Sequence, residues 1–129
     1  MEQDKKIIYT SKAPKPIGPY SQAVHIGNLI FTAGQLGLDP QTNELVSGGI
    51  QAETQQALTN IKHILEEAGS SLEKTIKTTV YLRDMNDFAT MNKIYADFFS
   101  ANYPSRTTIQ AGALPKNGSI EIEVIATVE

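Results

Sequence analysis

The run from residue 119 to 128 places the strongest constraint on what this chain can fold into. Ile120, Ile122, Val124 and Ala126 share one parity, while Glu121, Glu123, Ile125 and Thr127 share the other. A period of two sustained over this length is the pattern of a β-strand with two different faces. Because Ile125 lies on the charged face, neither side of the strand is fully polar. We therefore expect a sheet with helices on one face and a semi-apolar second face that needs a partner.

Five further segments have the composition of strands. Gly27-Asn28 between two of them is the signal of a two-residue hairpin turn, and residues 34–37 are expected to end the second hairpin strand. Alternation along 75–82 predicts that Ile76, Thr78, Val80 and Leu82 share one face. The five predicted strands cover residues 7–9, 21–26, 29–33, 75–82 and 106–111.

Two stretches have helical periodicity. Residues 51–68 carry apolar positions at helical spacing, and Gly69 is placed where a C-terminal cap belongs. A second helix is expected after Asn86 or Asp87, either of which can cap it. Its predicted buried stripe consists of Phe88, Met91, Ile94, Tyr95, Phe98 and Phe99. The predicted order is β-β-β-α-β-α-β-β in one domain spanning 1–129, a mixed α+β sheet whose open face packs around the symmetry axis of a homo-oligomer.

Composition excludes several kinds of function. The chain has 129 residues and no cysteine, and its only histidines, His25 and His63, match no ligand spacing, so we expect no metal site and no thiol nucleophile. A net charge of −3 with scattered basic residues argues against a nucleic-acid partner. No apolar run is long enough to span a bilayer, and the first residues do not resemble a targeting signal, so a cytoplasmic location is expected.

Arg106 and Glu121 are the candidate functional pair. Arg106 follows Pro104-Ser105 at the head of one predicted strand, and Glu121 begins the last strand. Arginine grips carboxylates through two parallel hydrogen bonds, and a glutamate can orient a water, so the pair suggests hydrolysis of a small carboxylated molecule. If Arg106 lies on the same face of the sheet as Glu121, the two charged groups meet at the interface between subunits. A structural salt bridge is the open alternative, and Glu123 is the alternative carboxylate.

Several short motifs in one register resemble those of the RidA/YjgF family across essentially the whole chain. They are Ile17-Gly18-Pro19-Tyr20-Ser21-Gln22-Ala23, Ala33-Gly34-Gln35, Asp84-Met85-Asn86-Asp87-Phe88, Asn92 with Tyr95, Pro104-Ser105-Arg106, Leu114-Pro115-Lys116 and Ile120-Glu121-Ile122-Glu123. The resemblance implies a trimer with a chorismate-mutase-like fold. It also implies an enzyme that deaminates 2-aminoacrylate, 2-iminopropanoate and 2-iminobutanoate to 2-oxo acids and ammonia, without a cofactor. Such imines arise from pyridoxal-phosphate-dependent dehydratases acting on serine or threonine.

The resemblance also implies roles for individual residues. Arg106 matches the anchor of the substrate carboxylate, Glu121 the group that positions the hydrolytic water, and Tyr20 an aromatic that lines the pocket from an adjoining subunit. Gly34 matches backbone at the pocket floor, and Phe88, Asn92 and Thr108 match positions around the cleft. From the residues alone, Tyr20 is equally an interface residue that donates one hydrogen bond, and Gly34 a glycine that allows a bulge or close strand approach.

The chain departs from the family pattern around the arginine. Pro-Ser-Arg-Thr-Thr stands where Pro-Ala-Arg-Ser-Cys is usual, so Thr108 replaces a cysteine. The mechanism needs no nucleophilic side chain, and the change bears on pocket size and substrate preference instead. One rival class remains open, a ligand-sensing or regulatory binding protein without turnover, including the translation, transcription or ribonuclease roles described for relatives. The shared fold alone licenses no chorismate-mutase activity.

Overall fold

The computed structural model describes residues 4–129, which form one mixed seven-stranded sheet with two helices. Its strands are β1 (Lys6–Ile8), β2 (Ala23–Ile26), β3 (Leu29–Thr32), β4 (Gln35–Leu36), β5 (Thr75–Leu82), β6 (Ser105–Gln110) and β7 (Ile120–Thr127). In space the order is β1-β2-β3-β7-β5-β6, and β4 also pairs with β7. Only β5 and β6 run parallel to each other. The helices are α1 (Gly49–Glu67) and α2 (Phe88–Phe98). The predicted fold class is therefore confirmed.

The alternation of β7 decides which side of the sheet is core. Ile120, Ile122, Val124 and Ala126 are at most 2% exposed. They face α1, whose predicted stripe is fully buried at Ala57, Leu58, Ile61, Ile64 and Leu65. Removing such a side chain from water contributes about 1.5–3 kcal/mol. We call this side of the sheet the helix face.

The other side, the open face, carries Glu121, Glu123 and Ile125 of β7. The register places Phe31 of β3 and Tyr81 of β5 beside them, and Ile109 of β6 beside Tyr81. Phe31 and Ile109 are 40% and 46% exposed. The predicted semi-apolar second face is thus present. No helix within residues 4–129 has the length and apolarity that crossing a bilayer requires.

The helix ends agree with the sequence only in part. Gly69 has φ 85°, and the N–H groups of Gly69 and Ser70 donate to the carbonyls of Glu66 and Leu65, which confirms the predicted C-terminal cap of α1. Before α2, the Asp84 carboxylate accepts a hydrogen bond from the Asn86 N–H at 2.9 Å and starts a short 3-10 turn (Met85–Asp87). Asp87 occupies the N-cap position of α2, as predicted, but its side chain makes no capping hydrogen bond, because the 3-10 turn that Asp84 caps leads directly into the helix.

Two details of the predicted strands are also wrong. The predicted Gly27-Asn28 hairpin is present, with Gly27 at φ 56°, but residues 35–36 form the separate strand β4 instead of ending β3. Ile76 was placed on the buried face of β5. The register of β5 against β7 shifts between Thr75 and Lys77, and Ile76 is 48% exposed at this bulge.

The predicted stripe of α2 is buried at Met91, Tyr95 and Phe99. The other members, Phe88, Ile94 and Phe98, are half-buried. Half of that stripe is therefore available to border a pocket.

Gln22 holds the proline-rich segment that precedes β2. Its side chain is 1% exposed. The amide oxygen accepts a hydrogen bond from the Thr10 N–H at 2.7 Å, and the amide nitrogen donates to the carbonyls of Thr10, Ala13 and Pro14. A segment without regular secondary structure is in this way fixed to the sheet, and Tyr20 follows it.

Candidate active site

The ladder registers place Arg106 and Glu121 on opposite faces of the sheet. Directly paired residues point to the same side, and Thr78 of β5 pairs with both Arg106 and the buried Val124. Arg106 therefore lies on the helix face, and Thr108 and Gln110 lie there with it. Glu121 pairs with Tyr81 on the open face. The condition that Arg106 and Glu121 share one face is therefore not met within a single chain. Spacing could not settle it, because the register of β6 on β5 depends on long-range pairing.

The first half-site surrounds Arg106 on the helix face. A pocket of about 440 Å³ lies between α2 and the segment that leads into β6. Its lining residues are Asn92, Tyr95, Ala96, Tyr103, Pro104 and Arg106. The guanidinium carbon of Arg106 lies 4.7 Å from the centre of the Tyr95 ring and 5.6 Å from that of Phe88. No aspartate or glutamate within residues 4–129 forms an ion pair with this arginine. We call this region the Arg106 half-site.

Two polar groups in the Arg106 half-site have no hydrogen-bond partner within residues 4–129. They are the Oγ1 atom of Thr108 and the Oδ1 atom of Asn92, both shielded from solvent. An unpaired buried hydroxyl is costly, whereas a thiol is a much weaker hydrogen-bonding group and tolerates such a position. The surroundings of Thr108 therefore suit the cysteine that this threonine replaces in the family pattern.

The second half-site surrounds Glu121. A crevice of about 40 Å³, large enough for a water molecule, is bordered by Tyr20, Gly34, Leu36, Pro115 and Glu121. The Tyr20 hydroxyl oxygen accepts a hydrogen bond from the Ile17 N–H at 3.1 Å, which leaves its own proton free to donate outward. We call this region the Glu121 half-site. Glu123 lies in a different depression with Phe31 and Lys77, so Glu121 is the carboxylate that accompanies Tyr20 and Gly34.

Gly34 allows its chain to approach the Glu121 side chain directly. A Cβ atom built on Gly34 would lie 2.7 Å from the Glu121 Oε2 atom and 2.8 Å from its Cδ atom. The close approach that the sequence left open for Gly34 is thus present, and it places the glycine directly against the Glu121 carboxylate. Burial raises the pKa of Glu121, and the negative charge of Glu123 raises it further. A carboxylate with a raised pKa is a better proton acceptor near neutral pH.

The sequence did not single out every residue at these sites. Tyr95 was assigned to the core, yet its ring also lies against Arg106. Its spacing of three residues from Asn92 and seven from Phe88, on one side of α2, was the available signal. Ala96 and Tyr103 were also missed, and no periodic pattern identifies them. Gln22 belongs to one of the family motifs, but no role was predicted for it.

Comparison with known proteins identifies the family of the chain. The sequence profile of the family described as Endoribonuclease L-PSP matches residues 10–128. The chain belongs to the YjgF/RidA family. As a RidA-family member, the chain has the chorismate-mutase-like fold of its structural neighbours.

The relatives of this RidA-family chain are similar to it over nearly their whole length. A RutC family protein of Pyrococcus abyssi is 53% identical over 97% of the chain and 98% of its own length. A 2-iminobutanoate/2-iminopropanoate deaminase of Bos taurus is 51% identical over 95% of the chain and 89% of its own length. The structure of E. coli TdcF with bound serine is 45% identical and superposes with a TM-score of 0.91, covering 95% of this chain and 98% of that one.

Proposed function

We propose that the protein hydrolyses 2-imino acids such as 2-iminopropanoate and 2-iminobutanoate, with their enamine tautomers such as 2-aminoacrylate, to 2-oxo acids and ammonia. The reaction takes place where the Arg106 half-site of one copy meets the Glu121 half-site of the next. The observation that carries the proposal is the unpaired Arg106 guanidinium, which is available to an anion in a pocket with no competing carboxylate within residues 4–129. The names of relatives that are about half identical to the chain support the reaction.

The proposed chemistry uses the residues in the following way. Arg106 binds the substrate carboxylate through two parallel hydrogen bonds. Glu121 holds a water and accepts its proton as the oxygen bonds to the imine carbon and the C=N electron pair moves to nitrogen. The proton then passes to that nitrogen, which gives a carbinolamine. The proton of its hydroxyl group moves to the nitrogen by way of Glu121, the C–N bond breaks, ammonia leaves with the bonding electron pair, and an oxygen lone pair forms the C=O bond. Fixed geometry and general acid–base catalysis, the latter about 10²–10⁴-fold, account for the acceleration.

The remaining predicted residues complete the cleft. Phe88 and Asn92 form walls of the Arg106 half-site, and Thr108 lies behind the arginine. Tyr20 of the adjoining copy points its free hydroxyl proton at the substrate, and Gly34 supports Glu121. The serine bound by the TdcF neighbour carries a nitrogen on the carbon next to its carboxylate, as a 2-imino acid does, which supports the ligand class.

The proposal requires an oligomer, because one sheet separates the two half-sites of a single chain. The open face supplies a surface for it, with exposed Phe31 and Ile109 beside half-buried Ile125. We propose a homotrimer in which these faces pack around a three-fold axis, giving three equivalent clefts. Light scattering coupled to size-exclusion chromatography measures this directly, and a monomer at micromolar concentration with full activity contradicts it.

The decisive experiment couples the protein to a threonine dehydratase and follows the loss of 2-iminobutanoate by rapid ultraviolet spectroscopy. Wild-type protein is expected to accelerate hydrolysis, and Arg106→Ala to lose about 10²-fold or more in kcat/KM through loss of the charged hydrogen bonds. Arg106→Lys tests the need for a bidentate fork. Lys93→Ala, which removes an exposed cation next to Asn92 on α2, is the charge-matched control. No acceleration by wild type, or an unimpaired Arg106→Ala variant, refutes the proposal.

A binding measurement distinguishes the deaminase from the rival class, a ligand-sensing protein without turnover. A ligand-sensing protein binds 2-oxobutanoate at Arg106 with no acceleration of imine hydrolysis, so calorimetric titration of the same preparation distinguishes the two. Incubation with RNA tests the activity in the family description. RNA cleavage that Glu121→Ala abolishes would favour a ribonuclease over a deaminase.

A further inference from the structure

Arg106 is held in an unusual way for a half-buried cation. Partly buried arginines are normally held by a carboxylate, since a buried charge without compensation is strongly unfavourable. Here no acidic residue within residues 4–129 pairs with Arg106, and two aromatic rings lie against the guanidinium instead. The face of an aromatic ring is electron-rich and attracts a cation within about 6 Å, most strongly where water is excluded. A ring compensates the charge without occupying the hydrogen-bonding fork.

The ring of Tyr95 is itself fixed by burial and by two contacts. Its side chain is 5% exposed, its ring packs on Phe99 with the centroids 4.6 Å apart, and its hydroxyl shares a buried 2.8 Å hydrogen bond with Thr78 Oγ1. Thr78 is the residue directly paired with Arg106 in the parallel ladder. The hydrogen bond therefore fixes the ring to the strand position next to Arg106, so the position of the ring relative to the guanidinium is fixed as well.

The Tyr95 hydroxyl keeps its proton in this environment. Burial raises the pKa of Tyr95, against the opposing effects of the Thr78 hydrogen bond and of the neighbouring Arg106. Tyr95 is therefore a neutral phenol at neutral pH. The Arg106 guanidinium therefore faces the ring of a neutral group and is not neutralised by a phenolate.

We propose that Tyr95, fastened by Thr78, is a positioning residue that holds the Arg106 guanidinium through its aromatic ring and leaves the hydrogen-bonding fork free for the substrate carboxylate. Phe88 adds a second, more distant ring on the same cation. The inference rests on the proposed function, in which Arg106 binds the carboxylate. In this proposal the Tyr95 ring holds the guanidinium, and the Tyr95 hydroxyl holds the ring in place.

The test compares Tyr95→Phe, which keeps the ring, with Tyr95→Leu, which removes it. Tyr95→Leu is expected to weaken 2-oxobutanoate binding and to raise KM for 2-iminobutanoate by about tenfold, with kcat changed less than about threefold. Tyr95→Phe is expected to stay within about threefold of wild type in both. Arg106 binds the substrate carboxylate equally well in the ground state and in the transition state. Weaker carboxylate binding is therefore expected to raise KM and to leave kcat nearly unchanged.

Phe88→Leu provides a second variant in case Tyr95→Leu fails to fold, and Phe98→Leu is its control. Both phenylalanines are half-buried on α2, but only the Phe88 ring lies over Arg106. Phe88→Leu is expected to raise KM and Kd about threefold, and Phe98→Leu to leave both unchanged. Equal effects of the two substitutions, or equal losses in Tyr95→Phe and Tyr95→Leu, overturn the inference.

A ligand-free measurement separates this inference from the proposed function. In the NMR spectrum of wild type, ring currents are expected to shift the Arg106 Nε–H proton upfield, and its order parameter is expected to be that of an ordered side chain. Tyr95→Leu is expected to abolish the shift and mobilise the guanidinium, whereas Tyr95→Phe preserves both. If wild type shows no turnover and no 2-oxobutanoate binding, the proposed function fails, while an ordered Arg106 in Tyr95→Leu refutes the positioning role alone.

Discussion

Gly34→Ala tests whether the Glu121 carboxylate has to stay where the structure places it. The substitution adds one methyl group whose carbon would lie 2.7 Å from the Glu121 Oε2 atom, whereas ordinary van der Waals contact begins at 3.4 Å. The carboxylate must therefore move by about 0.7 Å, the difference between these distances. Gly34 is outside the positive-φ region, so alanine introduces no backbone strain and the contact acts alone.

The expected result is a loss in kcat of about 10–100-fold, since a misplacement near 1 Å at a catalytic group costs up to about 10²-fold. KM is expected to change little, because Arg106 binds the substrate from the other half-site. The free energy of unfolding is expected to fall by about 1 kcal/mol, at the low end for overpacking, because the half-buried Glu121 side chain has room to rotate. The dehydratase-coupled assay and urea denaturation measure these quantities.

Gly112→Ala is the matched control, because a Cβ atom on Gly112 meets nothing within 4 Å and its backbone also lies outside the positive-φ region. A double-mutant cycle with Glu121→Ala, measured as the free energy of unfolding, gives the sharper test. When the Glu121 side chain is absent, Gly34→Ala has no carboxylate to displace and is expected to cause no loss of stability. Wild-type kcat in Gly34→Ala, or an equal loss of stability in the Glu121→Ala background, would refute the reasoning.

Three further outcomes are expected. Glu121→Gln abolishes deamination but raises Tm at pH 7–8. The pKa of Glu121 is raised in the folded state, so the charge of Glu121 destabilises the fold at any pH above its pKa in the unfolded chain, about 4.3. The difference in Tm between Glu121→Gln and wild type, measured by calorimetry, is therefore expected to shrink as the pH is lowered to about 4.3. Thr108→Val stabilises the protein by about 1 kcal/mol in urea, because an unpaired buried hydroxyl is removed, while Thr107→Val at the exposed neighbouring position changes nothing. Inactive Arg106→Ala and Glu121→Ala chains, refolded together in equal amounts, recover about a quarter of wild-type activity, because a cleft needs one intact half from each of two copies. No recovery would show that each chain completes its own site.

Local patterns were enough to predict most of the elements. The alternation of β7, the stripe of α1 and the Gly27-Asn28 turn each depend on neighbouring residues, and all three are present. Strand β4 was missed because two residues are too few for a period. Ile76 was misplaced because a bulge interrupts the alternation without a sequence signal of its own.

The candidate site was predictable as a set of residues but not as an arrangement. The chemistry of the residues suggested Arg106 and Glu121, and resemblance to the family motifs added their companions. The division between the two faces depends on how β6 pairs with β5, a contact between segments more than twenty residues apart in sequence, as Thr78 and Arg106 show. The role proposed for Tyr95 was not predicted, because a tyrosine on the buried side of a helix serves the core in most proteins.

The hydrogen bonds between the Gln22 side chain and the proline-rich segment affect how a small ligand can be bound. A substrate of a few heavy atoms offers too few contacts to compensate the entropy of ordering a loop around it. The prolines restrict the backbone of this segment, and its backbone groups are hydrogen-bonded to the Gln22 side chain. The entropy of ordering the segment is therefore already lost during folding, before any ligand binds. In the proposed cleft, the wall that carries Tyr20 is therefore ordered before a ligand binds, and we expect substrates to be selected by fit and not by closure of a lid.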